Sequence, residues 1–409
     1  MKYVNPIDRF YGRGYPCPVT IARDVTSHVR NLCQAFPVVT ITGPRQSGKT
    51  TLCREMFPHK PYVSLESLDR RSYASDDPRA FLHEYRDGAV IDEVQRVPEL
   101  LSYLQGEVDK RPELGRFVLT GSANLALLES VSQSLAGRTG LVTLLPCTLR
   151  ELERFGGGRL SLWERVWRGG FPAIPDREIE PVDWFETYVS TYVERDVRRI
   201  TNVTDLSAFQ TFLGLVAGRT GQLLNLSHLG GETGVTHNTA RAWLSVLEAG
   251  YVAFRLRPFH ANIRKRLVKS PKTYFYDTGL ACFLLGIRSA DQLSRHPLRG
   301  AVFENWVIVE VLKTAFNGGR RPMLSFFRDH QGHEVDLLVE RGDCLAAVEI
   351  KSGETIATDF FSDLVWLGQQ DLGSNRAPIE TMLVYGGDER QERTRASVIP
   401  WFGVGDVEW

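Results

Sequence analysis

The sequence predicts an α/β chain of more than one unit: a parallel-sheet unit first, a helical middle, and a second α/β unit at the carboxyl end. Three observations predict it. The β-branched run Val38–Thr42 leads directly into a glycine loop and then a helical stretch. A helix–turn–helix pattern follows past residue 220. Near the end, three apolar strands separated by turns carry Asp336, Glu349 and Lys351. Length agrees, because 409 residues at about 150 per domain make two to three folded units.

Composition narrows the function classes. Lys plus Arg and Asp plus Glu number 49 each, so the net charge is zero, and 43% hydrophobic with 24% charged residues is ordinary for a globular chain. A disordered chain and a strongly basic nucleic-acid coat are excluded. No apolar run approaches the roughly 18 residues that span a bilayer, and the first residues lack the apolar core of a signal peptide, so no membrane partner is expected. The cysteines at 17, 33, 53, 147, 282 and 344 include no Cys-x-x-Cys pair. That spacing argues against a zinc ribbon or disulfide scaffold and for a reducing cytoplasm.

Taken in order, the first element is Val38–Thr42, of the kind that makes a buried parallel strand. Gly43, Pro44, Arg45, Gln46, Ser47, Gly48, Lys49 and Thr50 follow, then Thr51 and a helical run. Strand, glycine loop and helix are the context in which G-x-x-x-x-G-K-[ST] cradles phosphates: backbone N–H groups point inward and the helix N-terminus adds positive potential. Lys49 is expected to bridge the β- and γ-phosphates of ATP and Thr50 to hold Mg2+. Ala89–Asp92 with Glu93 reads as a neighbouring strand with two carboxylates at its carboxyl end. Asp92 is expected to hold the magnesium, and Glu93 to orient or deprotonate the attacking water. Phe117–Thr120 reads as the next strand; Thr120, Ser122 and Asn124 are either γ-phosphate sensors or a capping loop before a helix at 125–128. Arg138 is open among a finger completing a neighbour's site, a sensor in its own, and a surface residue.

Glycines at 156–158 and Gly169–Pro172 break the pattern, and aromatics at 184, 185, 188 and 192 fall at helical spacing, which points to packing. From Leu223 the chain reads as a winged helix-turn-helix. A short helix over 226–231 and a turn at 232–235 precede a second helix capped by Thr236, and Gly250 ends it before a wing strand over 251–256. His237, Asn238 and Arg241 then face outward, where a DNA groove could be reached. Arg255, Arg257, Arg264, Lys265, Arg266, Lys269 and Lys272 follow with no acidic residue between Val252 and Phe275, a local positive patch suited to a phosphate backbone.

At the carboxyl end, 323–328, 333–339 and 344–351 read as three strands. Asp336 lies inside an apolar strand; Glu349 and Lys351, separated by one residue, project from one face of theirs. Charges in buried strands need a partner. Mg2+ or Mn2+ suits Asp336 and Glu349, with Lys351 polarising a water for metal-assisted hydrolysis of a phosphodiester. The alternative is a structural ion pair between Lys351 and either carboxylate. Glu304, near the start of a strong helix, could add a third carboxylate.

With these residues together, the chain resembles a large bacterial and archaeal family of AAA-type ATPases whose C-terminal region has long been labelled a domain of unknown function. The resemblance rests on Gly43–Thr50, Val90–Gln95, Leu119–Ser122, Leu135–Arg138, Tyr192–Asp196, Lys269–Leu280, Gly300–Glu304, Glu334–Asp336 and Val348–Lys351. It implies an N-terminal P-loop AAA-type ATPase, a winged helix, and a restriction-endonuclease-like C-terminal domain. In that fold Asp336, Glu349 and Lys351 match the metal-dependent nuclease motif and Glu304 its helix carboxylate. The expected units are 1–155 (ATPase), 156–200 (helical linker or lid), 201–270 (winged helix) and 271–409 (restriction-endonuclease-like). The expected function is an ATPase coupled to a DNA-acting nuclease, with homo-oligomers if Arg138 acts across subunits. Two rivals stand beside it: a nucleotide switch that binds DNA or protein and cuts nothing, and an ATPase that remodels protein.

Overall fold

The computed structural model describes residues 20–122, 131, 133–156, 158, 160–193, 205–259, 268–342, 344–370 and 378–409. Asn124 and the helix expected at 125–128 lie outside them, as do Arg264, Lys265, Arg266 and residues 194–196 of the Tyr192–Asp196 run.

The first unit is a five-stranded parallel sheet of β1 (Val38–Thr42), β2 (Tyr62–Ser64), β3 (Ala89–Asp92), β4 (Phe117–Thr120) and β5 (Thr139–Thr143), in the order β2-β3-β4-β1-β5. β1, β3 and β4 are buried along their whole length. Such strands carry no polar face, which is why they read as continuous apolar runs. Because every strand runs the same way, the loops after β1, β3 and β4 emerge at one edge, where a doubly wound sheet gathers its ligand groups.

The middle is helical. Leu206–Gly218, Leu226–Thr233 and His237–Ala249 pack around Phe209, Phe212, Trp243, Leu244 and Leu247. Asn225 caps the second of these helices and Thr236 the third, each accepting a backbone N–H, and Gly234 closes the second in the left-handed conformation. Asn238 and Arg241 are exposed and His237 half-buried.

The strand expected as a wing, β6 (Ala253–Pro258), forms an antiparallel pair with β7 (Lys272–Phe275) and also pairs with β8 (Met323–Arg328). It thereby joins an eight-stranded mixed sheet with β9 (Glu334–Arg341), β10 (Cys344–Lys351), β11 (Ile379–Tyr385), β12 (Gln391–Arg393) and β13 (Ala396–Pro400), in the order β12-β13-β11-β10-β9-β8-β6-β7. Helix Arg299–Asn317 covers one face through Val302, Phe303, Trp306 and Val307, which share a core with Leu337, Val348 and Ile350. The short helix Ser362–Gly368 covers the other. No helix among the described residues is long and apolar enough to cross a membrane.

Candidate functional site

The loop after β1 has the backbone its sequence requires. Gly43 takes φ 145°, and a Cβ there would lie 2.1 Å from the Leu144 carbonyl oxygen, so only glycine fits. Gly48 is left-handed at φ 94° and caps the helix Lys49–Met56. Lys49 is buried at that helix start, its Nζ donating to the carbonyls of Gly43 at 3.0 Å and Pro44 at 2.7 Å. Burial lowers its pKa to about 8, against the opposing pull of Glu93 and Asp92. The buried Ser47 hydroxyl has no partner among the described residues, an orphan donor inside a loop built to point donors at phosphate.

Asp92 stands across from the loop with both oxygens engaged. Tyr62 and Thr50 donate to Oδ2, Thr50 at 3.3 Å, and Thr120 donates to Oδ1. The Thr50 hydroxyl and the Asp92 carboxylate therefore converge on one point at the end of the loop, a donor set that fits Mg2+. Glu93 follows at φ 59°, an uncommon left-handed conformation for a non-glycine residue, and burial raises its pKa. Ser122 lies two residues past the end of β4, bridged to Glu93 by the side chain of Gln95.

Beneath the loop sits a residue with no motif around it. Arg23, 6% exposed, donates to the Ser47 carbonyl at 2.7 Å, the Leu145 carbonyl at 2.8 Å and Glu151 at 2.9 Å. Its partners lie 24 to 128 residues away in sequence, which is why no local pattern points to it.

Arg138 is a correction to one of its three readings. The backbone carbonyl of Arg138 accepts from Val38 N, at the amino end of β1, while the phosphate loop leaves the carboxyl end. Its guanidinium is paired with Asp109 at 2.5 and 2.9 Å. A sensor role in its own subunit's site is excluded by the length of the strand between them.

Two cations of the positive patch have acidic partners. Arg255 forms two bonds to Glu248, each at 2.6 Å, and Lys272 is buried against Glu304 at 3.0 Å and Glu334 at 2.5 Å. Acids from other parts of the chain neutralise two cations that stand unopposed in the linear sequence. Of the segment's described cations, Lys272 is buried, while Arg257, Lys269 and the Glu248-paired Arg255 are exposed.

The carboxyl-end acids do converge. Antiparallel pairing of β9 with β10 sets Leu337 opposite Val348, so Asp336 and Glu349 are neighbours. Lys351 contacts Glu349 directly and Asp336 Oδ2 at 3.8 Å, while that oxygen accepts from Ile350 N at 2.9 Å. Burial and Asp336 push Glu349 up to about 8, and burial and Asp336 push Glu304 up to about 7. β7 adds Lys272 and Tyr274, separated by one residue and both bonded to Glu304. The sequence held a signal for them, a lysine and a tyrosine separated by one residue in the short run Lys272–Phe275, which a search for carboxylates alone passes over.

A cation fits this donor set in part. Glu349 Oε2 is buried with no partner among the described residues and lies next to Asp336. Against that, Lys351 holds the other Glu349 oxygen and Lys272 holds Glu304. Among the described residues no group of three or more His, Cys, Asp or Glu is arranged to hold a metal ion.

Comparison with known proteins finds matches over three stretches of the chain. An AAA domain profile matches residues 35–153, and profiles for two domains of unknown function, DUF8612 and DUF4143, match 159–291 and 299–402. The uncharacterized protein Rv2008c of Mycobacterium tuberculosis is 33% identical over 380 residues, covering 90% of this chain and 84% of the relative; Mb2031c of Mycobacterium bovis matches equally. The chain belongs to their family. Its N-terminal sheet is thus an AAA domain with the P-loop of an ATP-binding protein. Among solved structures, the Walker-type ATPase PABY2304 of Pyrococcus abyssi covers 64% of the chain and 94% of its own length at 14% identity and TM-score 0.46. A single-substitution variant of RuvB from Thermotoga maritima covers 57% and 90% at 20% identity and TM-score 0.30.

Proposed function

We propose that this family member hydrolyses ATP at Gly43–Thr51 and uses its nucleotide state to govern a phosphodiester-cleaving site at Asp336, Glu349 and Lys351, with DNA as the substrate and the helix bearing Asn238 and Arg241 as its contact. The observation that carries the first half is the convergence of Thr50, Asp92 and Glu93 on one edge of the sheet, beside a loop whose Ser47 hydroxyl has no partner among the described residues. Mg2+ held by Thr50 and Asp92 would neutralise charge on the β- and γ-phosphates. Lys49 grips those phosphates, Glu93 orients the water, and Ser122 contacts the γ-phosphate. For Arg138 a role in a neighbouring subunit's site is the form of the finger that geometry leaves open.

The second half rests on Asp336 and Glu349 standing side by side, with a buried Glu349 oxygen that has no partner among the described residues. A divalent cation bound there would supply Lewis acidity to a phosphodiester. Lys351 would position the attacking water and Glu304 would hold the far side of the site. A second reading, a nucleotide-dependent switch that cuts nothing, is favoured by the lysines on Glu349 and Glu304. Incubating the full chain with plasmid DNA and, separately, RNA in Mn2+ decides between them. Cutting that is lost in Asp336→Ala and retained in Lys49→Ala supports the nuclease; no cutting by a folded wild type supports the switch. Failure to bind DNA even at low salt would favour a protein-remodelling ATPase.

A further inference from the structure

Gln95 stands two residues past Glu93, in the one-turn 3-10 helix Val94–Arg96 that follows β3. Its Nε2 donates to Glu93 Oε2 at 2.5 Å and to Ser122 Oγ at 2.9 Å. An amide nitrogen carries two hydrogens, so both bonds form at once and the donor is fully used. The Oε1 atom is buried without a partner among the described residues, so the amide is held by its nitrogen end alone. The backbone on either side is set by the sheet: β3 and β4 are hydrogen-bonded neighbours, with Ile91 opposite Leu119. The strand ends bearing Glu93 and Ser122 therefore cannot shift past each other, and the side-chain bridge is the adjustable part.

We infer that Gln95 is a positioning residue for ATP hydrolysis, holding Glu93 in register with Ser122 so that the contact of Ser122 with the γ-phosphate aims the carboxylate. This rests on the reading of Glu93 as the water-orienting acid and Ser122 as the phosphate contact. With Oε2 taken by Gln95, Oε1 is the Glu93 oxygen left for water. In the step it serves, the water oxygen bonds to the γ-phosphorus as the bond to the β–γ bridging oxygen breaks. The bonding pair leaves with ADP, and a water proton passes to Glu93 Oε1 and from there to solvent. Without the bridge, Glu93 keeps its place on the strand but loses its fixed rotamer, and a carboxylate misaimed by about 1 Å loses on the order of 10²-fold in rate.

The test is steady-state ATP turnover by the full chain, with nucleotide affinity measured separately by titrating a fluorescent ADP. Gln95→Ala lowers kcat about 10- to 100-fold while leaving nucleotide affinity within about threefold, the split expected of a group acting only on the chemical step. Gln95→Met, which keeps the length and volume but no donor, behaves alike and decides the matter if the alanine variant does not fold. Ser122→Ala in the Gln95→Met background costs no more than the larger single loss, because both act through one chain of bonds. Unchanged kcat in both Gln95 variants, or losses that multiply, overturns the inference. A wild type no faster than Lys49→Ala would instead overturn the ATPase reading itself, and the two failures are thus distinct.

Discussion

Replacing Arg23 by alanine tests whether the phosphate loop depends on a charge pair outside its own motif. The perturbation removes three bonds of 2.7 to 2.9 Å and leaves Glu151, 0% exposed, without its cation. Breaking a buried pair by deleting one partner costs about 3–5 kcal/mol. Two features of the site pull in opposite directions. Glu151 keeps the backbone donors Asp24 N at 2.7 Å and Thr148 N at 2.9 Å, which softens the loss. The Ser47 and Leu145 carbonyls lose their Arg23 donor, which adds to it. About 4 kcal/mol is the balance, and at about 2–4 °C per kcal/mol for a unit of this size the melting transition falls by about 8–16 °C. Scanning calorimetry of the full chain measures it, with Glu151→Gln added in the Arg23→Ala background. The double variant melts above the single one, because a neutral amide replaces an unpaired carboxylate. A fall of less than about 3 °C, or a double variant that melts lower still, would refute the assignment of that cost to a buried charge left without its partner.

Two further outcomes follow from positions the fold decides. Arg138→Ala leaves turnover within about twofold for dilute, monomeric chain, as its place at the far end of β1 requires; a loss that appears only as concentration rises would put it in a neighbour's site. The Glu349 carboxyl, held up to about 8 by burial and Asp336 against an ordinary 4.5, binds its proton more tightly in the folded chain than in the unfolded one. Its contribution to stability is therefore full below pH about 4.5 and is lost as pH rises through about 8, so Glu349→Gln flattens the fall in urea midpoint across that window and gains on the wild type above it. An identical pH dependence in the two proteins would count against the shift.

What could be read along the chain was whatever depends on neighbours in sequence. The glycine loop, the carboxylates ending β3, the caps at Asn225 and Thr236, and the shared face of Glu349 and Lys351 follow from backbone sterics and from the repeat of strand and helix, which act over a few residues. Charge was legible only as a local sum. The cations between Val252 and Phe275 look unopposed in sequence, yet Glu248 meets Arg255, and Glu304 and Glu334, 32 and 62 positions beyond Lys272, meet that lysine. Folding decided which end of the sheet Arg138 occupies, that β6 pairs with β8 as well as β7, and that Arg23 donates to the carbonyl of Ser47. The physical reason is common to all of these. Coulomb attraction and hydrogen bonding depend on distance in space, and only strand order and helix packing convert positions in the chain into those distances.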